Sequence, residues 1–120
     1  MRYLINVVHD GPIDPDTVKP ETFEAMGGFV AKLAADGILV DAAGLEPVEQ
    51  ATRVDLHDGQ IKLLDGPFAE AKEWIGGYFI IQVRDQDEAV EYARQSVEIH
   101  RVHAPGMNVI HEVRRIVDEE

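Results

Sequence analysis

The chemistry available to this chain rests on a few carboxylate, imidazole and cationic side chains. Asp65 opens the run Asp65-Gly66-Pro67-Phe68. There it either caps backbone amides, as turn aspartates do, or points into a cleft as a general base or ligand anchor. The second role requires burial, which moves a carboxyl toward neutral pKa. His9 follows the first apolar run and is the candidate proton partner, because an imidazole titrates near neutral pH. Its neighbour Asp10 cannot serve it, since adjacent residues of an extended chain point to opposite sides. A His9–Asp65 pair across neighbouring strands is geometrically possible, the alternative being a solvent-facing loop histidine. Lys72 and Arg114 are candidate ligand-binding cations that could attract a carboxylate or phenolate, and Phe68 and Trp74 are candidate walls for a planar ligand. The structural alternatives are a solvated Lys72–Glu73 pair and aromatics that belong to the core.

Other chemistries are excluded or weak. The chain has no cysteine, so thiolate nucleophiles, disulfides and thiolate metal sites are absent. His100-x-x-His103 with His111 would supply three ring nitrogens if that segment were helical. Pro105-Gly106 interrupts it and no spaced carboxylate completes the set, so no metal is expected. Gly27-Gly28 and Gly76-Gly77 do not match a phosphate-cradling loop, and Ser96, the single serine, lacks elbow glycines. No cofactor is expected. Eleven basic against twenty-three acidic residues give a net charge of −12, which argues against nucleic-acid and anionic-membrane partners. With 120 residues, 45% of them hydrophobic, residues 1–120 suffice for one domain with its own core. Neither a signal peptide nor an apolar run long enough to span a bilayer is visible, so a cytoplasmic protein is expected.

The positioning elements follow from periodicity. Arg2–Val8 is nearly continuously apolar, as in a central strand. A breaker-rich loop over 9–15 precedes a helix from about Glu21 to Asp36, with Pro20 in its first turn and Gly37 as its stop. Phe23, Met26, Val30 and Leu33 form its apolar stripe, and Gly27-Gly28 implies close approach to a sheet or a kink. A strand begins at Ile38–Val40. Thr52, Val54 and Leu56 alternate in Ala51–Leu56, His57-Asp58-Gly59 signals a hairpin, and Gln60–Leu64 pairs back. Tyr78–Val83 is a strand apolar on both faces. Asp85 caps a helix with Glu88 reaching back, and that helix ends near Val97 with Ala89, Val90, Ala93 and Val97 buried. His100–Met107 is irregular, and Val109–Val117 is the last strand. The order predicts an α+β fold, a mainly antiparallel sheet with two helices on one face. Strands apolar on both faces call for a partner on the other side, so a homodimer with sheets face to face and a cleft between them is expected.

The run from Asp65 to Phe79, with Asp65-Gly66-Pro67-Phe68, Glu70, Lys72-Glu73, Gly76-Gly77 and Tyr78, resembles the YCII-related superfamily in its DGPF-domain branch. The opening strand, the Ala-Asp-Gly end of the first helix and Glu112-Val113-Arg114 match over essentially the whole chain. The resemblance implies a ferredoxin-like βαββαβ sandwich that forms a dimeric α+β barrel. It also implies a His–Asp pair as an active site elsewhere in the superfamily, but the helix-one histidine has no counterpart here and Met26 stands in its place. Some relatives resembling this chain are encoded beside extracytoplasmic-function sigma factors.

Two functional readings follow. One is a small enzyme-like protein performing acid–base chemistry on a small metabolite in an interdimer cleft, using Asp65, His9, Lys72 or Arg114, and the walls Phe68 and Trp74. The other is a non-catalytic dimeric module that binds a small ligand or a protein, with a regulatory role.

Overall fold

The computed structural model describes residues 1–10, 18–66 and 74–118. Its elements are β1 (Arg2–His9), α1 (Pro20–Ala35), β2 (Leu39–Gly44), a 3-10 turn (Val48–Gln50), β3 (Thr52–His57), β4 (Gln60–Asp65), β5 (Trp74–Gln82), α2 (Gln86–His103) and β6 (Val109–Arg115). Four strands form one antiparallel sheet in the order β2-β5-β1-β6, and β3 and β4 form a separate two-stranded sheet. This is the expected α+β fold with ferredoxin-like order, to which a hairpin has been added. β1 is an inner strand, as its continuous apolar run implies.

Side-chain alternation divides the sheet into two faces. Tyr3 and Ile5 of β1 and Phe79 and Ile81 of β5 are buried beneath Phe29 and Leu33 of α1 and Ala89 and Ala93 of α2. Phe29 meets Phe79 edge to face at 5.8 Å between ring centroids. Leu4 lies opposite Ile80 and Arg114 on the other face. Both helices therefore cover the same side of the sheet, as their apolar stripes require.

The ends of both helices have simple causes. Pro20 sits at the start of α1, and Gly37 closes it in the left-handed region at φ 74°, with its N–H on the Ala34 carbonyl. The α1 stripe differs from expectation: Thr22, Phe29 and Leu33 are buried, whereas Phe23 is exposed at the rim of a cavity. In α2 the Asp85 carboxylate accepts from the Glu88 N–H at 2.9 Å, the expected cap. Glu88 does not reach back, because its carboxylate is held by Arg84 at 2.8 Å. The helix does not stop near Val97 but continues to His103, six residues further, because no breaker precedes Pro105-Gly106. Its buried stripe is Ala89, Ala93, Ser96 and His100, at helical spacing, and Val90 is exposed instead.

Glycine pairs act differently in the two halves. A Cβ at Gly27 or Gly28 would meet nothing within 4 Å, so close approach to the sheet does not explain that pair. At Gly77 a Cβ would lie 3.0 Å from the Ala43 carbonyl oxygen of the neighbouring strand, so a side chain there would force β2 and β5 apart. Gly77→Ala is therefore expected to cost about 1–3 kcal/mol in denaturant unfolding. Gly28→Ala, on an unobstructed helix face, is expected to gain about 0.5–1 kcal/mol.

Candidate functional site

Three imidazoles converge at one end of the helix-covered face. His9 is the last residue of β1 and continues the inward alternation of Tyr3 and Ile5, being 6% exposed. His111 lies opposite Val7 on β6 and is half-buried. His100 comes down from α2 one turn beyond Ser96 and is 7% exposed. The rings of His100 and His111 stand edge to face with centroids 5.5 Å apart, and Phe79 lies 6.4 Å from His111. Sheet and helix periodicity thus place polar residues where the apolar core ends.

Hydrogen bonding assigns different roles to the rings. His100 Nδ1 lies 2.9 Å from the Ser96 carbonyl oxygen. A carbonyl can only accept, so Nδ1 carries the hydrogen and the neutral ring keeps its lone pair on Nε2. His111 Nε2 is 2.6 Å from Ser96 Oγ, and that hydroxyl is fully buried. Among the described residues, His9 Nδ1 and His111 Nδ1 are buried without a geometrically formed hydrogen bond. Leaving such an atom unpaired costs about 1–3 kcal/mol, unless a ligand or water satisfies it.

Electrostatics favours the uncharged form of His9 and His111. Burial pushes His111 down to about 4, helped by the nearby His100 and His9 and partly opposed by an interaction with the Ile110 backbone. Burial also lowers His9, with a further push from His100, while the Asp10 carboxylate partly opposes it. Asp10 is itself held at the surface by Asn108, whose amide donates to it at 2.8 Å.

His9 lies between two cavities. One, of about 440 Å³, is lined by His9, His100, Thr22, Met26 and Phe79 among mostly apolar neighbours. The other, of about 420 Å³, brings His9 together with Trp74 and the turn at Pro47-Val48-Glu49. Phe23, Gly44 and Gly76 border both. A β-bulge creates this juxtaposition: opposite β1 the register passes from Gly77 directly to Ile75, leaving Gly76 as the extra residue. The shift places Trp74 rather than Ile75 opposite His9.

The structure separates several of the sequence candidates. Asp65 ends β4 and is exposed, and its carboxylate accepts from Thr52 Oγ1 at 2.8 Å within the hairpin. The strands beside β1 are β5 and β6, so His9 and Asp65 do not lie on adjacent strands, and the buried His9 is not the solvent-facing loop residue of the alternative either. Arg114 is exposed on the uncovered face, beside Glu112 at 3.8 Å, and so lies across the sheet from His9. Trp74 does share a cavity with His9. Phe68 and Lys72 lie outside the described residues. His103 is helical as the metal reading required, yet among the described residues no three His, Asp or Glu side chains are arranged to hold a metal ion. Among the described residues no helix is long and apolar enough to cross a membrane. Sequence reasoning weighed His100 and His111 only as metal ligands and did not place them beside His9. The available signal was their spacing, His100 at helical intervals from Ala89 and Ala93, and His111 two residues before Val113 on an alternating strand.

Comparison with known proteins places this geometry in a family setting. The profile of the YCII-related domain matches residues 1–104. A protein of Rhizobium meliloti (strain 1021), described as uncharacterised, is 31% identical over 97 residues, covering 78% of this chain and 78% of its own.

The lowered imidazoles link stability to pH. An unfolded histidine takes up a proton near 6.5, whereas His111 in the fold does so only at about 4. Between these values the unfolded chain binds more protons, so stability is complete above the upper value and falls as pH drops toward the lower one. Chemical denaturation should show a loss of about 2 kcal/mol across that window, after discounting for partial exposure. His111→Asn should flatten the slope; an unchanged slope would mean that His111 is not buried in its neutral form.

Proposed function

This chain belongs to the YCII-related domain family, and we propose that it performs acid–base chemistry on a small, largely apolar metabolite bound beside His9 and His100. The observation that carries this reading is the fixed tautomer of His100, whose Nδ1–H is committed to the Ser96 carbonyl while its ring lines the apolar cavity shared with His9. That arrangement leaves Nε2 as a proton acceptor and holds the ring in place, as a general base requires. The Ser96 carbonyl continues to accept from Nδ1 after Nε2 takes a proton, which stabilises the resulting imidazolium. His9, with its unpaired Nδ1, is the complementary group that hydrogen-bonds or returns a proton to the ligand. A charge on one ring disfavours a charge on the other, so one proton moves at a time.

The remaining candidates take lesser parts. Trp74 forms a wall of the adjoining cavity. Asp65, bonded to Thr52 at the base of the hairpin, lines neither cavity beside His9 and is assigned no contact with this ligand; Phe68 and Lys72 lie outside the described residues. A second copy of the chain covers the open sheet face, where Leu4, Val8 and Ile80 are half-buried and Ile110 and Arg114 are exposed, giving the dimeric barrel. The chemistry described here needs only the cavity within one protomer. We assign the protein to the cytoplasm.

A thermal-shift screen with neutral metabolites carrying a hydroxyl or an acidic C–H tests the reading. A ligand at a hundred times its Kd should add about 2.7 kcal/mol to the wild type. The gain should disappear in His100→Gln and shrink in His9→Asn, and persist in Asp65→Asn, which lies outside the cavity. NMR of the bound ligand in deuterated water should show exchange of its acidic proton, slowed about a hundredfold in His100→Gln. Binding lost in His100→Gln without exchange in the wild type would favour the non-catalytic binding module. Equal ligand responses in all four proteins would contradict the site altogether.

A further inference from the structure

The β3–β4 hairpin has no function in the fold described above. Every residue of both strands is exposed. Val54 lies opposite Leu63 and Leu56 opposite Ile61, and these four side chains share one face. They are 66%, 72%, 74% and 72% exposed, respectively. The other face carries Arg53, Asp55, Lys62 and Leu64. A tight turn at Asp58-Gly59, both with positive φ, fixes the register, so the apolar stripe is specified rather than a consequence of slippage.

Such a ribbon is not stable by itself, since a two-stranded hairpin in water is marginal without a hydrophobic surface to pack on. Apart from the pairing of β3 with β4, the ribbon makes few contacts with other elements of the fold. Its root, by contrast, is firmly seated. Gly66 N–H donates to the Ala51 carbonyl at 2.9 Å, and a Cβ at Gly66 would lie 2.8 Å from the Val48 carbonyl oxygen. A rigid root, a fixed register and an uncovered apolar stripe describe an arm.

We propose that the β3–β4 hairpin is an arm that lays Val54, Leu56, Ile61 and Leu63 on a second copy of this chain. Charge and area favour that occupant. A copy of a chain with net charge −12 is repelled by most of this surface. The arm is the exception, because Arg53 and Lys62 nearly balance Asp55, Asp58 and Asp65, and its stripe is uncharged. Four largely exposed aliphatic side chains provide several hundred Å² of apolar surface, and a two-fold axis uses that patch twice. Two such arms, with the surfaces that receive them, bring the contact toward the roughly 800 Å² per partner of a stable dimer. The arm root adjoins Val48 and Glu49, which line the cavity beside His9 and Trp74, so docking also braces that wall.

The test is the oligomeric state of an arm variant. Leu56→Glu with Ile61→Glu alters only exposed positions and should retain the wild-type circular dichroism. Sedimentation equilibrium at tens of micromolar should give two chains for the wild type and one for the variant, with the dimer constant raised at least about a hundredfold. A wild type that is a single chain, or a variant that dimerises as tightly as the wild type, would overturn the proposal. The latter result would leave a sheet-face dimer standing, so the two interfaces are distinguished. In this cysteine-free chain, Leu63→Cys can carry an environment-sensitive fluorophore. Its emission should shift to longer wavelength on dilution; emission independent of concentration would also overturn the proposal.

Discussion

The constraint on which this structure turns is that ionised imidazoles are costly in the gap between α2 and the sheet. His9 and His100 are almost wholly buried there, with His111 beside them, and burial lowers both His9 and His111. A low-dielectric gap tolerates polar groups only when they are uncharged and hydrogen-bonded. For His100 the geometry alone sets which nitrogen carries the hydrogen, because Nδ1 must donate to the Ser96 carbonyl. Among the described residues the gap also leaves Nδ1 of His9 and of His111 without a well-formed hydrogen bond. A buried cluster with unmet capacity beside a cavity is poorly explained by stability alone.

The surrounding fold exists to hold that end of the core open. The tightly packed centre, from Tyr3 and Ile5 through Phe79 to Leu33, gives way toward His9 to small and rim residues such as Gly27, Gly44 and Gly76. The bulge at Gly76 turns Trp74 toward the side of His9, and the bare Gly77 lets β2 lie close enough to complete the wall. Gly66 brings the hairpin root against the turn at Val48 by the same device. These glycines lie within the run that resembles the DGPF branch, which gives part of that run an architectural purpose: Gly66 and Gly77 act through close backbone approach, not through a positive φ.

Much of the fold was legible because its signals are local. The nearly continuous apolar run of β1, the Asp58-Gly59 turn, the Asp85 cap and the Gly37 stop each depend on a few neighbouring residues. The end of α2 was not legible, because the stripe that continues it is polar: Ser96 and His100 occupy positions where an apolar side chain would have marked the helix. The same polarity hid the site, since a histidine in an expected irregular segment gives no sign of burial. Asp65 misled in the opposite way. Its tetrapeptide drew attention to it, yet its carboxylate is occupied by Thr52 in a ribbon that pairs only with itself. Strand adjacency is a long-range property, and period-two alternation in β3 could not say which sheet the strand would join.

The central claim concerns one proton, on Nδ1 of His100. Long-range nitrogen–proton correlation spectra of the histidine rings, recorded at mildly alkaline pH on the wild type and on His100→Gln to assign the signals, read it directly. The account predicts a His100 ring protonated at Nδ1 with a bare Nε2. A ring protonated at Nε2, or two tautomers in rapid exchange as in a free histidine, would contradict it.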